Sequence, residues 1–267
     1  MAPNIEELPY NPINKVIDEA NIIKLLNDYD IQKKPINLDI YRLCFVNKSY
    51  CTRKNENFID GNMNCPEGCL PLQEESNERL EFLGDSILNI TVAAYLFERY
   101  PSENEGFLTR MRTKLVNGKM LAWLSEKVGL HKYILISKQI EDNNGRFNLN
   151  ILEDAFEALI AAIHQDLGFE TARDWIINVI ETNLDFSDLI KQNNNFKDMF
   201  LKYYQQTHSY IPKFYEMNIE SMNNNTSKLY TICIKDKNDN MISIGKGSNK
   251  KEAENDASHN ALKQLGI

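Results

Sequence analysis

Apolar positions recur at helical spacing along the first two-thirds of the chain, and strand-like runs appear only near its end. Asn14–Asn27 is amphipathic and predicts a short helix behind an N-terminal arm, and residues 38–50, LDIYRLCFVNKSY, predict another. Asn77–Tyr100 predicts a long helix stopped by Pro101. Further helices are expected over Glu105–Lys114, Lys119–Val128 (closed by Gly129), Ile151–Gln165 and Thr171–Thr182. Residues 51–76 break this pattern with cysteines, prolines and glycines in a polar background, the mark of a long loop or insertion. The period stops again at Lys191–Asn195, KQNNN, which predicts a linker. Beyond it the pattern predicts a helix (Phe196–Gln206), strands (Lys213–Glu220, Ser227–Lys235, Met241–Gly245) and a closing helix (Asn249–Leu265). Turn-forming residues fill Met222–Ser227 and Lys235–Asn240. The expected organisation is an arm and short helix over 1–36, an all-α domain over 37–190, a linker over 191–195, and a small α+β domain of order α-β-β-β-α over 196–267.

With 267 residues, 42% hydrophobic and 25% charged, the chain suits a globular protein of one large or two ordinary domains. No apolar run approaches the roughly 18 residues of a membrane span, so no membrane partner is expected. The opening MAPNIEELPY lacks the basic and apolar segments of a secretory signal. Five cysteines without such a signal point to reduced thiols in an intracellular compartment, the cytoplasm first. Cys51, Cys65 and Cys69 lack a nearby fourth ligand, so reduced loop cysteines are expected rather than a zinc site. A net charge of -8 argues against a protein that simply coats nucleic acid. The charge is unevenly placed, however. Phe196–Ile267 holds ten lysines, no arginine and eight acids, a net of +2, which leaves -10 for the remainder.

Part of that acidity is patterned. In NERLEFLGDSIL (Asn77–Leu88), Glu81 and Asp85 lie four apart on one helix face, an arrangement that costs an isolated helix roughly 0.2–0.5 kcal/mol. In ILEDAFEALIAAIHQD (Ile151–Asp166), Asp154 and Glu157 lie three apart, beside Ala158, Ala161 and Ala162, small residues that permit close approach of another helix. If the two helices pack together, the four carboxylates converge. Their hard oxygens suit Mg²⁺ or Mn²⁺, and the chemistry such an ion supports is metal-assisted hydrolysis of a phosphodiester. Either pair alone equally describes a solvated helix face, and spacing does not choose between the two. No Ser-His-Asp set, paired histidines or phosphate-cradling glycine loop competes with this reading.

NERLEFLGDSIL is similar, residue for residue, to the signature of the ribonuclease III family. Glu105–Gly106, Arg110, Arg112, Leu115–Val116 and ILEDAFEALIAAI resemble that family in order and spacing, and CFVNKSY resembles its short motif ending in Ser-Tyr, with Asn47 where His is usual. The resemblance covers roughly Asp39–Thr182. It implies a helical endonuclease domain acting as a homodimer on double-stranded RNA. Carried over by position, it makes Glu81, Asp85, Asp154 and Glu157 both catalytic and metal-binding, Glu78 supporting, and Phe82 an aromatic inserted into the partner subunit. Mg²⁺, with Mn²⁺ as a substitute, would be the cofactor, and no small-molecule cofactor is implied.

The C-terminal part resembles a double-stranded RNA-binding domain, best in GKGSNKKEAENDASHNAL (Gly245–Leu262) and also in IPKF and KLYTI. Lysines at a helix amino terminus suit phosphate contacts, and such domains read A-form shape rather than sequence. The resemblance implies RNA contacts at Lys246, Lys250, Lys251, Lys202 and Gln205. Two departures imply weaker contacts than usual: Thr226 stands where the strand loop usually has His, and Leu201 and Lys202 replace polar and acidic residues of the first helix. The expected activity is endonucleolytic cleavage leaving 5′-phosphate, 3′-hydroxyl and short 3′ overhangs. The alternative is a non-cleaving protein that binds duplex RNA, in silencing interference or an RNA–protein particle.

Overall fold

The computed structural model describes residues 9–52, 65–191, 196–222 and 227–266. The chain divides into two compact units, Met1–Leu189 and Ile190–Ile267. The first is helical: α1 Glu19–Asn27, α2 Leu38–Leu43, α3 Glu78–Arg99, α4 Glu105–Leu115, α5 Gly118–Val128, α6 Lys138–Asp142, α7 Leu149–Leu167, α8 Phe169–Asn183 and α9 Phe186–Lys191. The second is α10 Phe196–His208, β1 Lys213–Met222, β2 Ser227–Lys235, β3 Met241–Gly247 and α11 Lys250–Gln264, with an antiparallel sheet in the order β1-β2-β3.

In the first unit α7 is the central helix. Ala155, Phe156, Ala158, Ile160, Ala161, Ala162 and Ile163 are each fully buried, so it is apolar on nearly every side, as a core helix must be. Trp175 of α8 packs on Phe156 and donates its indole N–H to the Leu25 carbonyl, which ties α1 to the same core. Asparagine or aspartate caps α7 and four other helices of the unit: Asp18, Asn37, Asn104, Asn117 and Asn148 each accept a backbone N–H of the first turn.

Three sequence expectations need correction. The helix expected over 38–50 ends at Leu43, after which Val46 forms a bridge with Leu135 and a short 3₁₀ turn follows at Lys48–Tyr50. The apolar run Cys44–Val46 that mimicked a helix there is buried and runs parallel to the segment at Leu135. The helix expected from Asn14 starts at Glu19, because Asn14 is spent on the Ile136 backbone and on Arg146. Finally, α3 is long and apolar enough, by length and composition, to cross a membrane, against the reading that nothing approaches that. Here Gly84, Ile87, Leu88, Val92 and Leu96 are buried on one side of it, against the core.

The insertion expected at 51–76 falls partly outside the described residues. Its ends are fastened: Cys51 bridges Gln73, and the Tyr50 hydroxyl donates to the Leu70 carbonyl at 2.8 Å. The expected linker, Lys191–Asn195, likewise lies almost wholly outside them, and so does Thr226.

In the second unit the two helices pack on one face of the sheet around Phe200, Ile234, Ala257, Ala261 and Leu262. Close approach of α11 to β3 depends on glycine and alanine. A β-carbon on Gly245 would collide with the Ala257 backbone, and one on Gly247 with that of Ala253. Buried Ser243 completes the contact by donating to the Ala257 carbonyl at 2.7 Å.

Candidate active site

The acidic residues of α3 and α7 meet where the two helices touch. Gly84, one residue before Asp85, is buried against α7, and a β-carbon there would collide with the Glu157 carbonyl. This glycine, in mid-helix where it weakens helix formation, brings the two backbones together. Sequence reasoning passed over it and assigned the close approach to the alanines of α7. A lone Gly inside an otherwise regular helical pattern was the available signal.

The carboxylates then interact in two levels across the helix pair. Burial raises Asp154 to about 6, with Glu81 the leading charge behind that shift and Glu153 next. Burial raises Glu157 to about 8, and there Asp85 leads, followed by Glu153, Glu81 and Asp154. Glu157 is 5% exposed, and among the described residues nothing hydrogen-bonds or ion-pairs with its carboxylate. Asp85 is exposed and held in place by Asn89, whose Nδ2 donates to Oδ1 at 2.6 Å. Glu78 sits at the rim in an exposed ion pair with Lys48 at 3.1 Å. Lys48 is the cation whose charge is felt at Asp154, where it opposes the upward shift.

All four expected ligands are thus on the α3–α7 seam, as mutually repelling neighbours. Among the described residues, however, no three His, Cys, Asp or Glu side chains close on one point as a finished metal cage. Like charges opposed mainly by one exposed lysine stand apart. The donor set itself fits a hard divalent cation: it is all oxygen, Asp154 and Glu157 are partly desolvated, and the raised proton affinities of those two record a field that a cation relieves.

Phe82 is 76% exposed, so packing inside its own unit is not its role. It shares the outer side of α3 with Ile90 and Phe97, 60% and 70% exposed. Of the expected RNA contacts, Lys202 and Gln205 are exposed on α10, and Lys250 and Lys251 are exposed at the amino end of α11. Lys246 on β3 is exposed too, its backbone N–H bound to Asp256. Asn249 caps α11 by accepting from the Glu252 N–H, while Glu252 reaches back to Ser248, a reciprocal cap that presents the two lysines. Leu201 is partly buried on the core of this unit.

Residues 70–184 match the model of a family described as ribonuclease-III-like, and residues 196–265 match that of the double-stranded RNA binding motif. Ribonuclease 3 of Sulfurovum sp. (strain NBC37-1) is 36% identical over 190 residues, 71% of this chain and 84% of that protein. The chain belongs to the ribonuclease III family. The probable ribonuclease 3 of Acanthamoeba polyphaga mimivirus is 32% identical over 251 residues, 93% of this chain. This chain spans 46% of that viral protein's length. The nuclease domain of ribonuclease III from Campylobacter jejuni is 30% identical, covering 62% of this chain and 95% of that one, with a TM-score of 0.49. Family membership gives the α3–α7 seam its meaning. It is the acidic face of a ribonuclease III domain, followed in the chain by a double-stranded RNA-binding fold.

Proposed function

We propose that the chain is a Mg²⁺-dependent endoribonuclease that hydrolyses phosphodiester bonds in double-stranded RNA, working as a homodimer whose two centres each cut one strand. Products would carry 5′-phosphate and 3′-hydroxyl ends with short 3′ overhangs. The observation that carries this reading is Glu157, a residue 5% exposed whose carboxylate pairs with no described cation and feels the charges of Asp85, Glu153, Glu81 and Asp154. A group so placed is unfavourable in the free protein and becomes useful only with a cation beside it.

Glu81, Asp85, Asp154 and Glu157 would hold the ion. When bound, Mg²⁺ supplies Lewis acidity, easing loss of a proton from water and offsetting phosphate charge. Asn89 keeps Asp85 oriented toward the seam, and Glu78 keeps Lys48 at its rim, where the ammonium favours approach of a phosphate backbone. The exposed lysines of α11 would hold the duplex through its phosphates, without regard to sequence. The exposed Phe82, Ile90 and Phe97 give α3 an apolar outer side suited to a second copy of the domain.

Incubating the purified chain with a long RNA duplex and Mg²⁺ tests the reading. Short duplex products with 5′-phosphates are expected. A duplex left whole in both Mg²⁺ and Mn²⁺ overturns the enzyme and leaves the non-cleaving RNA-binding protein. Sedimentation showing only monomer at micromolar concentration, with and without RNA, overturns the dimer.

A further inference from the structure

One acidic side chain at the seam has no part in the reading above. Glu153 precedes Asp154 on α7 and lies one turn before Glu157, on the same face. At the seam it feels Glu81 and Asp85 of α3, and its side chain also reaches α5. Its carboxylate lies against the first residue of that helix, Gly118, where an added β-carbon would stand 2.9 Å from Oε1 and closer still to Oε2. Glu153 is half-buried, its charge is felt by both Asp154 and Glu157, and among the described residues no cation pairs with it. Two local disadvantages therefore meet at one point. A glycine opens α5 where a better helix former would do, and an unpaired carboxylate occupies the space the missing side chain leaves.

We propose that Glu153 is a fifth carboxylate of the cation-binding centre, a positioning residue seated in the gap at Gly118 that accepts hydrogen bonds from the water shell of the divalent ion held by Asp154 and Glu157. The inference rests on the cation-binding reading of the seam and extends it to α5. Mg²⁺ and Mn²⁺ keep several waters when bound by carboxylates, and those waters need acceptors. Outer acceptors of this kind raise metal affinity without touching the metal. The neighbouring Glu157, 5% exposed and paired with no described cation, lies one turn further along the same face.

The test measures Mn²⁺ binding to the full chain by calorimetry, with no RNA present. Glu153→Gln should weaken Mn²⁺ binding about tenfold while leaving the melting temperature in EDTA equal to or above that of the wild type. Gly118→Ala, which keeps every charge but pushes the carboxylate from its seat, should weaken it as well, by less than Glu153→Gln. Glu126→Gln, an equal change of charge at an exposed position of α5, should leave binding unchanged. Wild-type affinity in Glu153→Gln, or an equal loss in Glu126→Gln, overturns the role of Glu153 alone. Absence of Mn²⁺ binding in the wild type overturns the underlying reading of the seam as well.

Discussion

Gly84 lies directly on the backbone of Glu157: a β-carbon at position 84 would collide with the Glu157 carbonyl and stand 3.1 Å from its Cα. The obstacle is main chain in the middle of two packed helices, so neither side can yield by a rotamer change. Gly84→Ala is therefore expected to destabilise the first unit by about 2–3 kcal/mol, the range for overpacking a tight core, although alanine is the better helix former. Thermal denaturation should show the loss. Forcing α3 off α7 should also weaken Mn²⁺ binding, since each helix carries half of the carboxylates.

The acidic seam should be more stable in the metal-free protein once its charge is reduced. Glu157 is raised to about 8 from the usual carboxylate range, first by burial and then by Asp85. The folded protein thus holds a proton that the unfolded chain releases. Stability from this group is present at low pH and is lost as pH rises through about 8. Glutamine imitates the protonated form. Glu157→Gln should raise the stability of the metal-free protein at pH 8 by on the order of 2 kcal/mol and remove that pH dependence, while RNA is still bound and no longer cut. Melting curves in EDTA at pH 5 and pH 8, beside a cleavage assay, check both halves. Retained cleavage would take Glu157 out of the catalytic set.

What the sequence shows of this site, and what it hides, follows from the reach of local pattern. The helices bearing Glu81, Asp85, Asp154 and Glu157 announce themselves by period and caps, and the two pairs lie within a single turn each. Their meeting is a tertiary fact. It depends on Gly84 and on the burial of Glu157, and neither is a property of spacing. Glu153 is hidden by its neighbours, because a third acid beside Asp154 looks like more of the same helix face until Gly118 is seen beneath it. The apolar run Cys44–Val46 keeps a helical look while pairing in parallel with Leu135. Residues 134–147, built from short pieces held by long-range hydrogen bonds, have no period to read.

Arg146 shows what holds that last region. It is 7% exposed and donates to the His131 carbonyl at 2.9 Å, the Ile134 carbonyl at 2.7 Å, the Asn14 side chain at 3.1 Å and the Glu141 carboxylate. It thus ties the N-terminal segment to the loop before α6. Replacing one partner of a buried pair leaves the other charged and unpaired, so Arg146→Met should cost about 3–5 kcal/mol. The sign with pH is opposite to that of Glu157. Burial pushes Glu141 up, but its hydrogen bonds to Arg146 and Asn11 outweigh this and hold it below the usual value. The stability it contributes is present above the ordinary carboxylate range and lost as pH falls through the lowered value. Denaturant titrations should show the gap between wild type and variant narrowing as the solution is acidified.

The lysines at the start of α11 allow a test of RNA binding separate from fold and from cleavage. Lys250 and Lys251 are exposed, and the one ion pair either makes among the described residues, Lys250 with Glu216 at 3.9 Å, is itself solvent-exposed and worth little. Removing both should leave the melting temperature unchanged. If each meets one phosphate, the double variant Lys250→Ala/Lys251→Ala should bind any RNA duplex more weakly, irrespective of sequence. The slope of log affinity against log salt should fall by about two. Measuring that slope in Ca²⁺, or on the Glu157→Gln background, keeps the duplex intact during titration. An unchanged slope would place the phosphate contacts elsewhere on the second unit, with Lys202 and Gln205 of α10 next to be replaced.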